Sequence, residues 1–374
     1  MRIGIIAVSL LSGGGVNNFL NEIEAVMALD KTNDYYVFLS REQADMASRL
    51  PGRASIVFVY LPSNVFLRTL ATQVMLPWCV RKNKIDMLYC LGNISLLFSG
   101  IKSVVLVQNA NPFSRVRKWS RSFRIKLFLN SVLTLLSAKR SDRVVYVSQN
   151  SKKLFDRLMG LDGKKSRVVT HSWSPGKKGP AQAISLPSRY ILSVGSILPY
   201  RNLEVIMRAF DRLVSVYDYD GKLLIAGAPV DIGYYNRLKL LKGFLRHGER
   251  VIFLGSLKHE TVLDHYQGAD MFVFSSLEET FGIPLLEAMG SGTPVLASNA
   301  GDGYFNPAGE ICGDAAVYFD PLSSEDLCAK MLLVLENAEL RQRLRKMGLE
   351  RVKYFKSSDS AHKLIGVFNE VMAR

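Results

Sequence analysis

Ser275-Ser276-Leu277-Glu278-Glu279-Thr280-Phe281-Gly282-Ile283-Pro284-Leu285-Leu286-Glu287-Ala288-Met289-Gly290 is the stretch on which the reading of this chain turns. The apolar run just before it, Met271–Phe274, has the length and composition of a buried strand. That strand ends at the two serines, and Phe281-Gly282 forms a tight turn. Pro284 suits the first turn of a helix, where its missing N–H costs nothing. Strand, turn and helix start in succession bring free backbone N–H groups and the positive end of a helix to the carboxyl end of the strand. Such a place binds a phosphate or diphosphate. Glu279 falls on the turn, within reach of sugar hydroxyls. Glu287, eight residues later in the helix, can accept two hydrogen bonds from a ribose diol. Two glutamates at this spacing would alone suit an ordinary surface helix; the full string is far more specific.

On both sides of this stretch, short apolar runs alternate with helical patterns. Strands are predicted over residues 190–194, 222–226, 251–254, 271–274 and 294–297, with helices over 202–216, 234–246, 260–267 and 284–290. Nearer the start, strands are predicted over 3–8, 35–39, 55–59, 87–90, 104–107 and 143–147, with helices over 16–29 and 119–138. This rhythm belongs to parallel sheets covered by helices on both faces. It occurs twice, which suits a 374-residue chain too long for one ordinary core. The intervening residues are rich in Ser, Pro, Gly and Lys. The expected organisation is an N-terminal domain over 1–172, a linker over 173–188, a second domain over 189–355, and a C-terminal helix over 356–374 that returns to the first domain. The expected fold class is α/β, two doubly wound Rossmann-like domains facing a cleft at the carboxyl ends of both sheets.

The formal charge of +15 is unevenly spread. Residues 1–172 hold 25 Lys and Arg against 10 Asp and Glu, whereas the rest of the chain balances. A basic half can face nucleic acid, an anionic membrane or an anionic substrate, or can simply be a soluble basic surface. Cys79, Cys90, Cys312 and Cys328 show neither CxxC nor metal-ligand spacing and read as reduced thiols of a cytosolic protein. No apolar run approaches the roughly 18 residues that cross a bilayer. The N-terminal Met-Arg-Ile-Gly-Ile-Ile-Ala-Val leads into Ser12-Gly13-Gly14-Gly15 and reads as a first strand and glycine turn rather than a signal peptide.

The string Glu279-x7-Glu287, with Phe-Gly-Ile-Pro inside it and Glu-Ala-Met-Gly-Ser-Gly-Thr-Pro-Val-Leu after it, closely resembles the retaining GT-B nucleotide-sugar glycosyltransferases (group 1, family 4). Ser193-Val194-Gly195 followed by Arg201-Asn202-Leu203, Phe253-Leu254-Gly255, Ala269-Asp270-Met271-Phe272-Val273, Gly313-Asp314-Ala315-Ala316 and Phe319-Asp320-Pro321 match in order. The Gly13-Gly14-Gly15 loop and Asp142-Arg143-Val144-Val145-Tyr146-Val147-Ser148 fit in the first half.

The resemblance implies a hexosyltransferase with a UDP- or GDP-linked donor. Glu279 would contact the donor sugar, Glu287 the ribose, and the backbone of Phe281, Gly282 and Ile283 the diphosphate or sugar. Arg201 would neutralise the leaving diphosphate; the other half of the family's basic pair is Tyr200 here. Gly195 belongs to the family's glycine strand. Gly14 and Gly15 would approach donor phosphate or acceptor, Gln108 stands where the family often has a histidine, and the backbone near Leu257 would meet the base. No metal or cofactor is expected, and Asp218-Tyr219-Asp220 reads as a solvated turn.

The resemblance gives acceptor binding to the N-terminal domain, and the implied acceptor is a lipid-linked glycan in surface polysaccharide, such as lipopolysaccharide, assembly. Arg115, Arg117, Lys118, Arg121, Arg124 and Lys126 fall in one stretch along which Trp119, Phe123 and Leu127 recur every four residues. As a helix it would be basic and amphipathic, suited to peripheral docking on the inner face of the plasma membrane; the alternative is an aromatic stripe packed on the core. A nucleic-acid binder is a rival that leaves the glutamate string unexplained. A GT-B enzyme acting without a glycan acceptor, such as an epimerase, is another.

Overall fold

A computed structural model describes residues 1–10, 14–62, 65–116, 119–174, 186–299, 301 and 304–373. Gly13 of the glycine loop, Arg117 and Lys118 of the basic stretch, and residues 175–185 of the expected linker lie outside the described residues. The chain divides into two units. One comprises Met1–Pro112, Phe128–Ser172 and Phe355–Arg374; the other comprises Phe113–Leu127 and Trp173–Tyr354. Residues 113–127, read from sequence as part of the first domain, thus group with the second unit. Their apolar side chains find their partners there.

The first unit runs β1 (Arg2–Ile6), α1 (Gly14–Leu29), β2 (Asp34–Ser40), α2 (Ala44–Ser48), β3 (Ser55–Val59), α3 (Val65–Lys82), β4 (Met87–Cys90), β5 (Lys102–Val107), then the latter part of α4 (Arg121–Arg140), β6 (Arg143–Tyr146), α5 (Gln149–Met159) and β7 (Ser166–Val168). Its seven strands are all parallel, in the order β3-β2-β1-β4-β5-β6-β7. β4 and β6 are buried along their whole length, which is why they read as continuous apolar runs rather than alternating ones.

The second unit runs β8 (Tyr190–Val194), α6 (Leu203–Tyr217), β9 (Lys222–Ala226), α7 (Ile232–Phe244), β10 (Val251–Gly255), α8 (His259–Gly268), β11 (Met271–Phe274), α9 (Ile283–Gly290), β12 (Val295–Ser298), α10 (Ala308–Cys312), β13 (Ala316–Phe319), α11 (Ser324–Glu336) and α12 (Ala338–Arg351). Its six strands are parallel in the order β10-β9-β8-β11-β12-β13. One buried cluster includes Ile206, Phe210 and Leu213 of α6, Tyr234 and Leu238 of α7, Met271 and Val273 of β11, and Met331 of α11. α2, α3, α5, β7, α10 and β13 have no counterpart among the sequence-predicted elements; α3 carries Pro77 within it, which obscures its helical pattern.

The chain ends in α13 (Ser357–Met372), which packs in the first unit. Phe368 meets Tyr89 of β4 edge-on at 5.4 Å. Glu370 accepts from Arg143 Nε at 3.1 Å and Arg167 Nη2 at 2.7 Å, and Ser360 Oγ donates to the Thr170 carbonyl at 2.7 Å.

Candidate functional site

In the second sheet the chain winds outward in both directions from the neighbours β8 and β11, so this is where strand order reverses. The loops leaving these two strands at their carboxyl ends are not drawn to the same side of the sheet, and a crevice opens between them. Gly195 closes β8 at φ +145°, and a Cβ placed there would lie 3.1 Å from Cζ and Nε of Arg201. Glycine therefore allows the guanidinium to lie against the backbone. The loop then makes a short 3-10 turn, Pro199–Arg201, followed by Asn202 in the left-handed conformation (φ 51°) ahead of α6. Two bonds fasten this turn to the end of β11: Ser275 Oγ donates to the Arg201 carbonyl (2.6 Å) and Leu277 N–H to the Tyr200 carbonyl (2.8 Å).

Arg201 is the charged centre of the crevice. Its Nη1 donates to Ser276 Oγ at 3.1 Å and pairs with Glu279 Oε2 at 3.0 Å, and its Cζ stands 5.6 Å from the Phe274 ring centroid. Nε is buried with no hydrogen-bond partner among the described residues. Burial works against the charge, but neighbouring Tyr200 and Glu279 outweigh it, so Arg201 holds its proton more tightly than an ordinary arginine. A small pocket lined by Gly195, Arg201, Phe274, Ser275 and Ser276 lies against this side chain.

Glu279 also accepts from the Thr280 N–H at 3.0 Å, and its own N–H donates to the Phe305 carbonyl. Gly282 takes φ +91° immediately before α9, and a Cβ there would meet Leu285 Cδ1 at 2.9 Å. Pro284 falls at the start of the helix, as its chemistry requires. The Phe281 side chain is buried, so this residue can offer a ligand only its backbone. Glu287, one helical stretch on, is 9% exposed; Tyr266 Oη donates to its Oε2 at 3.3 Å and His259 Nδ1 stands 3.6 Å from its Oε1. Burial lifts the Glu287 carboxyl above its usual range, partly offset by His259 and the Tyr266 hydroxyl.

The predicted residues therefore fall into groups. Gly195, Arg201, Glu279 and Gly282 come together around the β8 and β11 ends, with Ile283 and Glu287 following on α9. Leu257 is half-buried in the loop between β10 and α8. Gly14, Gly15 and Gln108 belong to the first unit: the glycines open α1, and the Gln108 N–H donates to Asn93 Oδ1 at 3.0 Å after β5. Asp220 of the formal DxD pairs with Arg189 at 2.8 Å, before the strands begin rather than at their carboxyl ends.

The aromatic stripe Trp119, Phe123, Leu127 is not a free docking face, which corrects the interfacial-helix expectation. Trp119 is buried with Val116, Leu198, Tyr200 and Leu277, and Phe123 and Leu127 pack against this cluster. The Trp119 and Phe123 rings stack at 5.0 Å. Tyr200, where the family would place an arginine, is a buried member of the same cluster. Glu278 escaped the sequence reading. It is 1% exposed, and its Oε1 accepts from the Arg115 N–H at 2.6 Å, pinning residues 114–116 to the turn that carries Glu279. Burial raises its carboxyl above the usual range. Nothing in a Glu-Glu pair at a turn distinguishes the buried member from the exposed one.

Residues 178–351 match the family described as glycosyl transferases group 1. The O-antigen chain mannosyltransferase RfbU of Salmonella typhimurium strain LT2 is 26% identical over 329 residues, covering 85% of this chain and 86% of the relative. The serotype-specific mannosyltransferase WbdA of Escherichia coli is 24% identical over 249 residues, 64% of this chain; the match spans only 30% of WbdA's length. In three dimensions the chain is similar to Anabaena HepE, solved in complex with UDP and glucose. The TM-score is 0.75 at 14% identity, and the match covers 99% of each chain. At that identity the likeness concerns the fold, the GT-B class.

Proposed function

We propose that this chain, whose residues 178–351 match the group 1 glycosyl transferases, moves a hexose from a nucleotide-sugar donor to a lipid-linked glycan acceptor. The observation that carries this reading is the Arg201 guanidinium at the strand-order reversal. It is held by Ser276 and Glu279, with a buried Nε that has no protein acceptor among the described residues. A diphosphate seated in the crevice would supply that acceptor through charge-assisted hydrogen bonds. Negative charge grows on the departing oxygen as the bond to the anomeric carbon breaks. A positioned guanidinium and the start of α9 stabilise that charge.

In this reading Glu279 both orients Arg201 and takes a hydroxyl of the donor sugar, and Glu287 holds the ribose. Gly195 and the backbone of 281–283 lie against the diphosphate, and the Leu257 backbone meets the base. The acceptor hydroxyl attacks from the face the diphosphate leaves, so configuration is retained. Its proton passes to the departing diphosphate, and no side-chain nucleophile is required. RfbU and WbdA are named mannosyltransferases, which makes a mannosyl nucleotide the first donor to test and surface polysaccharide assembly at the inner face of the plasma membrane the proposed setting.

Thermal-shift screening against UDP- and GDP-sugars, followed by turnover with the best donor, tests the reading. A donor that stabilises the wild type but not Arg201→Ala is the expected result. The absence of any stabilising nucleotide sugar, or equal stabilisation of the variant, refutes it.

A further inference from the structure

Among the described residues no helix is long and apolar enough to cross a membrane, yet the first unit displays an apolar face. On α3, Leu76 and Val80 point to the core, whereas Leu70, Val74 and Trp78 recur every four residues on the opposite side. On α4, Thr134 and Ala138 are buried, whereas Phe128, Val132 and Leu136 again recur every four residues on the outside. A helix covering a sheet in water places polar residues on its outer stripe. Here that stripe is apolar on both helices: Leu70, Val74, Trp78 and Phe128 are 63–67% exposed.

The two helices flank one surface. The β4–β5 connection has no helix of its own, and its residues 95–99 are fastened from both sides. Gln73 of α3 bonds the Ser95 carbonyl and the Leu97 N–H, both at 2.9 Å. Ser137 of α4 accepts from the Ser95 N–H at 3.0 Å. Between the helices this connection presents Phe98, 68% exposed.

Charge identifies what covers this surface. None of α3, residues 95–99 and the 128–140 stretch of α4 holds an acidic residue. Both helices end in a basic pair, Arg81-Lys82 and Lys139-Arg140. Lys82 Nζ stands 5.3 Å from the Trp78 ring and Arg140 Cζ 5.0 Å from the Phe98 ring, so cations border the exposed aromatics. An apolar patch bordered by cations, with no anion along either helix, suits a layer that offers acyl chains at one depth and negative headgroups just above it.

We propose that the outward face of α3, residues 95–99 and α4 seats this protein on an anionic lipid bilayer. The face lies outside the Trp119–Leu127 stripe that the sequence suggested. The inference deepens the functional reading and rests on it only in supplying a lipid-linked acceptor; vesicle binding is measured without any sugar present.

The test uses the full chain with vesicles of phosphatidylcholine alone and of phosphatidylcholine mixed with phosphatidylglycerol. Co-sedimentation with the mixed vesicles only is expected. Lys82→Gln and Lys139→Gln should each weaken it about fivefold. The triple variant Val74→Ser, Trp78→Ser, Phe128→Ser should abolish it while keeping the wild-type circular dichroism spectrum and the nucleotide-sugar thermal shift. Equal binding to both vesicle types, or to neither, overturns the proposal. So does a wild-type dimer that the triple variant converts to monomer, because the face would then be an interface between copies. A missing donor shift alongside intact vesicle binding would sink the catalytic reading and leave this one standing.

Discussion

Arg201 shows how one side chain is prepared for an anion. Gly195 gives it room, Phe274 supports one side, and Ser276 and Glu279 share Nη1, so orientation is settled before a ligand arrives. Arg201→Ala is expected to lower turnover by about 10²-fold or more, measured as kcat with saturating donor. Arg201→Lys should recover only part of it, because an ammonium lacks the planar fork. A second titratable residue acts on stability instead. Glu22 is fully buried in the first unit beside the Tyr89 hydroxyl, and burial raises its carboxyl to about 7. Its folded-state value thus lies above the unfolded one. Its contribution is present in full below the unfolded pKa and is lost as pH rises through about 7. Glu22→Gln removes that loss. The wild type should fall behind the variant in thermal midpoint between pH 5 and pH 8, by an effect on the order of 3 kcal/mol.

At the scale of elements, the segment 113–127 is held to the second unit by a buried glutamate and a buried tryptophan. Glu278 accepts the Arg115 N–H, Trp119 Nε1 donates to Ser114 Oγ at 3.0 Å, and the Ser120 N–H donates to Asp231. Glu278→Ala leaves the Arg115 amide without its acceptor, a cost of about 1–3 kcal/mol. Hydrogen exchange at Arg115 and Val116 should accelerate by tenfold or more. Glu278→Gln, which keeps an acceptor oxygen and loses a charge that burial already disfavours, should exchange nearly as slowly as wild type. The pairing of α1 with α13 is a second example: the C-terminal helix packs on an element of a unit begun more than 300 residues earlier.

On the scale of the whole molecule, the first unit is discontinuous in sequence and depends on the last helix. Leu364, Val367, Phe368 and Val371 are buried in it, and Arg143, Arg167 and Lys102 all bond to residues of α13. Truncation after Tyr354 exposes these apolar partners and removes Glu370 from two arginines. The shortened chain should lose the first unit as a protease-resistant fragment while the second persists, read by limited proteolysis and mass spectrometry. Survival of both fragments would show that α13 is dispensable.

Much of this was legible from residues alone. The period of apolar runs announced two parallel sheets, because strands buried on both faces must be apolar throughout. Pro284 and Gly282 marked the start of α9, because few other residues suit those backbone positions. The Glu279–Glu287 string and Arg201 were likewise visible as a pattern. Other features depended on contacts between distant residues. Burial separates Glu278 from Glu279, although the two are chemically identical and adjacent. Trp119 and Phe123 turned inward, whereas the equally apolar Val74, Trp78 and Phe128 stayed outside. A sequence carries the period of a helix but not the identity of what each side of it meets; that is decided only when the chain has packed.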